Sequence, residues 1–355
     1  MRRYLRELIF GLIAIALVIG YGVLGAGAAP LVLPAGAPTP TPTKPVSAVP
    51  APQIPGTIAF ALRGDVYMLR DGKYVSVTSD ARSIQPNLSE DGRTLLFVRS
   101  EAINGKREVD GQITPAILRY TDIVKKDPSG GAESIVLTGL LVTSPSGFHT
   151  VAWLSAPALS PDAKRFAVTT DASGSGGAIV IGASDLEIFD ALTGKRSSLL
   201  SQGSVLADPS WSPDGKTIAV TSYTSGEPKI LLVPLDGRAA TPLVIKGQTG
   251  EPYRPSYSPD GAWITYTLRH EGRNDVHAVD VKTGQDVALT SDGKSWNSVF
   301  SFDSKQIAFL RESNGVIDLY AMDVSEALVG GPIRAAVKLT RGEGIDGDSR
   351  PAWGR

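Results

Sequence analysis

Five aspartates recur in nearly the same setting. The stretches are Gln85-Pro-Asn-Leu-Ser-Glu-Asp-Gly92, Ala156-Pro-Ala-Leu-Ser-Pro-Asp-Ala163, Asp208-Pro-Ser-Trp-Ser-Pro-Asp-Gly215, Arg254-Pro-Ser-Tyr-Ser-Pro-Asp-Gly261 and Asn297-Ser-Val-Phe-Ser-Phe-Asp-Ser304. A repeated carboxylate can ligate a metal or move a proton. It can also close a turn: proline at the second turn position presets φ, aspartate bonds local backbone, and glycine at the fourth accepts a left-handed backbone. Asp91, Asp162, Asp214, Asp260 and Asp303 are spaced by 71, 52, 46 and 43 residues. Copies in separate structural units cannot share one ion, so the turn role is the expectation.

Other reactive groups are sparse. His149, His270 and His277 show no paired metal spacing, and each is expected to be structural. Glu343, Asp346 and Asp348 could offer carboxylate oxygens to Ca²⁺, but the full calcium-loop pattern is absent and an exposed acidic turn is expected. No serine stands in a nucleophile elbow, and no phosphate-binding glycine loop follows a strand. The cluster Ser173-Gly-Ser-Gly-Gly177 reads as a hairpin tip. Neither a metal nor a cofactor is expected. With no cysteine, disulfides, thiolate nucleophiles, Cys-ligated zinc and a lipidated N-terminal cysteine are excluded. Lysines and arginines are scattered and net charge is −1, so nucleic acid is not an expected partner.

The elements around the aspartates repeat with them. A β-rich strand follows each turn at once, as in Thr94-Leu-Leu-Phe-Val98, Thr217-Ile-Ala-Val-Thr221 and Trp263-Ile-Thr-Tyr-Thr267. An alternating strand comes next, such as Asp185–Phe189 or Asp275–Val279, then a second turn and a short fourth strand. A period of about 40–50 residues built from short strands indicates a propeller. Residues 57–80 supply three strands but no first one, and the C-terminus supplies an orphan first strand, Arg350-Pro-Ala-Trp-Gly-Arg355. Joining them closes the ring and removes free sheet edges. The expected fold is all-β: a six-bladed β-propeller of four-stranded antiparallel blades over residues 56–355. The longest spacing leaves about 25 residues to spare, too few for a seventh blade.

These residues resemble the TolB family, whose propeller carries WD40-like repeats with the Pro-x-aromatic-Ser-Pro-Asp-Gly signature. The resemblance covers Gly56 to Arg355 and implies the fold. The same repeats serve peptidase propellers, lyases and stand-alone binding modules. The α/β domain that precedes the propeller in that family has no counterpart in residues 1–55 of this sequence.

In a propeller the first strands line a central channel. The residues leading into them, just before each signature proline, are Gln85, Ala156, Asp208, Arg254, Asn297 (before Ser298, which replaces the proline) and Arg350. Tyr253 and Trp296 stand beside them. A polar ring with aromatic neighbours suits a peptide tail or a small anion; the plainer reading is that it solvates an open tunnel. The candidate ligand-binding set at the tunnel mouth is therefore Gln85, Asp208, Tyr253, Arg254, Trp296, Asn297 and Arg350.

Upstream, Arg2, Arg3 and Arg6 precede an uncharged stretch from Leu8 to Ala29. That is long enough for one transmembrane helix, with the arginines cytoplasmic and the remainder outside. Residues 1–29 are read as a retained signal anchor, or alternatively as a signal peptide cut after Ala28 that releases a secreted or periplasmic protein. Residues 30–55 are proline-rich and form an extended extracytoplasmic linker. The functional expectation is a membrane-tethered extracytoplasmic module that binds or scaffolds an envelope protein or peptide. The alternatives are a hydrolase or lyase acting on an envelope polymer, or the sensing domain of a signalling complex.

Overall fold

The structure, a computed structural model, describes residues 54–109, 111–173, 184–200 and 205–355. The expected anchor, the linker up to residue 53 and the glycine tip at 174–177 lie outside the described residues. Among the described residues no helix is long and apolar enough to cross a membrane.

Residues from Ile54 on form six antiparallel sheets. Blade 1 is composite: Ala352–Gly354, then Thr57–Leu62, Asp65–Arg70 and Lys73–Ser76. Blade 2 runs Ser83–Leu88, Leu95–Val109, Gln112–Lys126 and Ser134–Thr138. Blade 3 runs Thr150–Leu159, Arg165–Ser173, Asp185–Asp190 and Arg196–Leu199, with Leu140–Val142 added beside its inner strand. Blade 4 is built from Leu206–Trp211, Thr217–Ser222, Lys229–Pro234 and Thr241–Pro242. Blade 5 uses Glu251–Tyr257, Trp263–His270, Arg273–Asp280 and Asp286–Ala288, and blade 6 uses Ser295–Phe300, Gln306–Ser313, Val316–Asp323 and Val337–Lys338.

Each inner strand neighbours the next, and that of blade 6 touches Ala352–Gly354, which in turn touches Ser83–Leu88, so the ring closes. The expected closure is present: Thr57 faces Gly354, Ile58 faces Trp353 and Ala59 faces Ala352. Trp353 donates its indole N–H to Pro55 O at 2.7 Å. Gly56 sits at φ +78°, where a Cβ would lie 2.2 Å from Gly354 O, so only glycine fits beside the latch.

The core explains the apolar second strands. Alternate residues of a strand point to opposite faces, and both faces of each blade are covered. Leu95 and Phe97 pack with blade 1 residues Ala59, Val66 and Met68, whereas Leu96 and Val98 pack with Phe166 and Val168 of blade 3. Six such layers fill the gaps between neighbouring blades.

The signature aspartates act within their own turns. Ser89 donates its hydroxyl to Asp91 Oδ1 at 2.6 Å, and Asp91 accepts the Arg93 N–H at 3.0 Å. The serine–aspartate bond recurs at 160/162, 212/214, 258/260 and 301/303. The serine hydroxyl is the main cause that holds the Asp91, Asp162 and Asp214 carboxyls below their usual range.

The residues between the first and second signatures lengthen a hairpin instead of adding a blade. The second and third strands of blade 2 each have 15 residues and stay paired from Leu95↔Lys126 to Val109↔Gln112. Against the 6 residues of Thr217–Ser222, this carries the hairpin roughly 25–30 Å further at about 3.4 Å per residue. Its base is tied to blade 3, where the Thr121 hydroxyl accepts the Leu154 N–H at 2.6 Å and donates to Leu154 O at 2.7 Å. The direction of the second strands places the hairpin on the face where the inner strands begin.

Candidate functional site: the axial channel

The inner strands share one device. Gln85, Ala156, Asp208, Arg254 and Asn297 all have φ between 50° and 57°, and the pairing with the second strand shifts register there in every blade from 2 to 6. A left-handed residue at a β-bulge re-aims the strand. For non-glycine residues it costs on the order of 1–3 kcal/mol each, so neighbours must over-determine it. They do so across the blade gaps. The Gln85 N–H donates to Ser349 Oγ at 2.8 Å and the Ala156 N–H to Gln85 Oε1 at 2.7 Å. The Arg254 N–H donates to Thr221 Oγ1 at 2.8 Å and the Asn297 N–H to Thr267 Oγ1 at 3.2 Å.

The ring expected from the sequence separates into groups. Asp208, Tyr253 and Arg254 come together: Arg254 Nε lies 3.9 Å from Asp208 Oδ1, and its guanidinium carbon is 5.7 Å from the Tyr253 ring centre. Arg254 also reaches Asp348 Oδ1 at 3.4 Å, a fully exposed carboxylate. Burial works against the Arg254 cation, but Asp208, Tyr253 and Asp348 outweigh it and raise its pKa. Tyr223 joins this group; burial pushes its hydroxyl up to about 12, with Asp208 adding to the effect. Trp296 and Asn297 turn elsewhere. Both donate to Gly347 O, at 2.8 and 3.1 Å, and so hold the segment that leads to the closing strand. Gln85 spends its side-chain carbonyl on blade 3, and Asn297 is fully buried.

Arg350 departs from the other ring positions. It is absent from the left-handed set, and the closing strand it precedes pairs over only three residues. Its side chain crosses the lumen and donates from Nη1 to Pro255 O at 2.5 Å and from Nη2 to Pro209 O at 3.0 Å. It thereby links blade 1 to blades 4 and 5. Burial pulls its pKa below the ordinary arginine value; Asp208 offsets this in part and the like charge of Arg254 adds to it. Beyond it, towards the signature turns, lies a cavity of about 160 Å³.

The histidines lie apart. His149 Nδ1 accepts the Ser144 N–H at 3.3 Å, and His270, the last residue of its strand, donates from Nδ1 to Thr249 O at 2.8 Å. His277 donates to Asp286 Oδ2 at 2.8 Å, while the buried Tyr266 hydroxyl donates to Asp286 Oδ1 at 2.8 Å. This trio joins the second, third and fourth strands of blade 5, away from the channel. Of the acidic turn, Asp346 accepts the Gly64 N–H at 3.1 Å and Glu343 accepts the Arg341 N–H at 2.7 Å, while Asp348 faces Arg254. Among the described residues no three His, Asp or Glu side chains gather as a metal site would need.

Residues 181–330 match the family profile described as the TolB beta propeller domain. The chain carries a TolB-like six-bladed β-propeller. It is 36% identical over 99 residues to "Tol-Pal system protein TolB" of Anaeromyxobacter dehalogenans, and 33% identical over 129 residues to "Protein TolB homolog" of Chlorobium luteolum. These alignments cover 28% and 36% of this chain but only 22% and 27% of the relatives, so the match spans about a quarter of their length. The crystal structure of TolB from Acinetobacter baumannii superposes with a TM-score of 0.60 at 21% identity, covering 84% of this chain and 66% of that one. At that identity the likeness concerns the fold.

Sequence reasoning missed the partners that hold the ring. Thr221 and Thr267 occupy the fifth position of equivalent second strands, as does Thr169, which bonds Ser155 at 2.8 Å. That repeated threonine was a visible signal. Asp348 and Tyr223 carried none, because blade closure alone brings them to Arg254.

Proposed function

We propose that this chain is a membrane-tethered, extracytoplasmic docking module of the cell envelope that receives a protein or peptide over the face where its inner strands begin. The observation that carries this reading is the Asp208–Tyr253–Arg254 group at the channel rim. Arg254 is held by its own backbone rather than by a tight ion pair, and its side chain keeps 19% exposure. Guanidinium groups make bidentate contacts with carboxylates. Gln85, Trp296 and Asn297 are spent on the scaffold, and Arg350 spans the lumen below this rim. The long hairpin of blade 2 rises on this side and leaves Ile113 and Ile117 about 60% exposed, an apolar wall for a bound protein. The likeness to a Tol-Pal system protein supports an envelope partner. The arginine-flanked apolar segment before the proline linker supports the tether, with the propeller outside.

The test is capture of a partner from an envelope extract by the full chain, followed by variants. Arg254→Ala is expected to weaken binding about ten- to hundredfold, the loss of one charge-assisted contact. Arg254→Lys should recover only part, since lysine lacks the planar fork. Arg196→Ala, on an outer strand, should change nothing. Equal small losses at both positions would move the docking surface away from the rim. Protease added to intact spheroplasts should release a folded propeller; a protected propeller would reverse the orientation, and a propeller already in the soluble fraction would mean cleavage after Ala28.

A further inference from the structure

The opposite end of the channel is chemically different. The 160 Å³ cavity opens among the signature turns, where Pro161, Pro213, Pro259 and Phe302 are the apolar part of the lining and Glu90, the one carboxylate in it, is paired with Arg355 at 3.0 Å; Arg350 lies at its floor. Among the described residues no carboxylate comes within ion-pair distance of Arg350. Its two bonds go to neutral carbonyls, and of five guanidinium N–H groups three remain. On the rim side Asp208 attracts it and Arg254 repels it, neither in contact. A partly buried cation with no ion pair of its own has capacity left for an anion.

The walls fit that demand. Asn87 uses its side-chain carbonyl to accept the Leu159 N–H at 2.8 Å, which leaves its amide N–H groups to donate. Ser210 accepts the Tyr257 N–H at 3.0 Å, which leaves its own O–H to donate. Both line the cavity with their acceptors already engaged. Whole small-molecule ligands occupy roughly 300–1,000 Å³. This cavity is smaller, so it accepts the end of a chain, about one residue long. The proline and phenylalanine rim favours apolar side chains just before that end.

We infer that the turn-side end of the channel captures the C-terminal carboxylate of a polypeptide with apolar final residues, with Arg350 as the anion contact. This rests on the reading of the module as a peptide-docking one but uses the other end of the channel.

The experiment uses the full chain and an N-terminally fluorescent hexapeptide pool with randomised internal positions, ending in Leu, Val or Phe. Each pool is made as free acid and as C-terminal amide, and binding is read by anisotropy. The free acids are expected to bind at least tenfold more tightly than the amides. Phe302→Glu, at the rim, should weaken the free acids more than the amides, since both lose an apolar contact and only the acids meet a like charge. Arg350→Lys should weaken free-acid binding; if that variant fails to fold, the acid–amide ratio and Phe302→Glu still decide. Equal binding of acid and amide, or no binding of either pool at millimolar concentration, overturns the inference. So does displacement of the acid by acetate or inorganic phosphate at equal concentration, which would make this a simple anion site. The Arg254 variants probe the other end, so partner capture that depends on Arg254 alongside equal acid and amide binding would sink this inference and spare the docking reading.

Discussion

Arg254 and Arg350 stand at the same step of the repeat, each directly before a signature proline, yet one belongs to the rim and the other to the lumen. Arg254 sits on a left-handed bulge, its N–H taken by Thr221 and its guanidinium among Asp208, Tyr253 and Asp348. Arg350 starts a strand without that bulge, and its guanidinium spans the channel to two proline carbonyls. Equivalent sequence positions therefore acquire different chemistry from a single backbone choice. At Arg254 the bulge goes with a side chain held at the rim; at Arg350, which lacks it, the side chain falls inward and becomes a strut between blades.

The largest effect that would break this contrast is removal of the strut together with its strand. Deleting residues 348–355 takes away Arg350, the buried Trp353 and the closing pairs. Loss of one large buried aromatic already costs about 3–5 kcal/mol. The melting temperature should fall by about 10 °C or more, or cooperative melting should vanish, as read by circular dichroism. An unchanged curve would mean that blade 1 is stable without its C-terminal strand.

Point variants sharpen the comparison. Arg350→Ala should cost about 1.5–3 kcal/mol in urea unfolding, because two enclosed charge-assisted bonds are lost. Arg254→Ala should cost under about 1 kcal/mol, as expected for loosely paired, partly exposed charges. Similar losses at both sites would erase the distinction between strut and rim.

The smallest expected effect concerns acid. Asp91, Asp162 and Asp214 have folded pKa values below their unfolded ones, chiefly through the serine hydroxyls. Their contribution is present above the unfolded value, near pH 4, and disappears as pH falls through the folded values. The difference in melting temperature between wild type and the triple Asp→Asn variant should therefore shrink from pH 5 to pH 3. Neither channel arginine titrates in that window, so Arg350→Ala should show a difference that does not change with pH there. A constant gap for the triple variant would assign those aspartates no electrostatic role.

Most of the architecture was legible because its cause is local and repeated. The Ser-Pro-Asp-Gly words specify a turn whose bonds close within six residues, and the apolar second strands announce burial on both faces. The split ends at Thr57 and Arg350 announced the latch. The leading residues were also visible as a set. What could not be read was where their side chains go. Trp296 and Asn297 are consumed by Gly347, 50 or 51 residues away in sequence, and Gln85 by the N–H of Ala156, 71 residues away. Such contacts exist only once the ring is closed. The surplus before the second signature showed that no seventh blade would fit, but gave no hint of the direction in which it would grow. That depends on the Thr121–Leu154 tie and on Gly139, whose missing Cβ would lie 2.4 Å from Ala152 O.

The latch has a mechanical side. The chain enters the propeller at Pro55, whose carbonyl is already held by Trp353, and runs straight into Thr57–Leu62. That strand is paired along one edge with Asp65–Arg70 at six residue positions and along the other with the closing strand at three. Tension applied from the N-terminal side would pull along this strand, across the direction of its hydrogen bonds. The load is then shared by all of them in shear, whereas a strand peeled from its end would give way one bond at a time. A propeller hung by this end would be gripped by bonds that are loaded together.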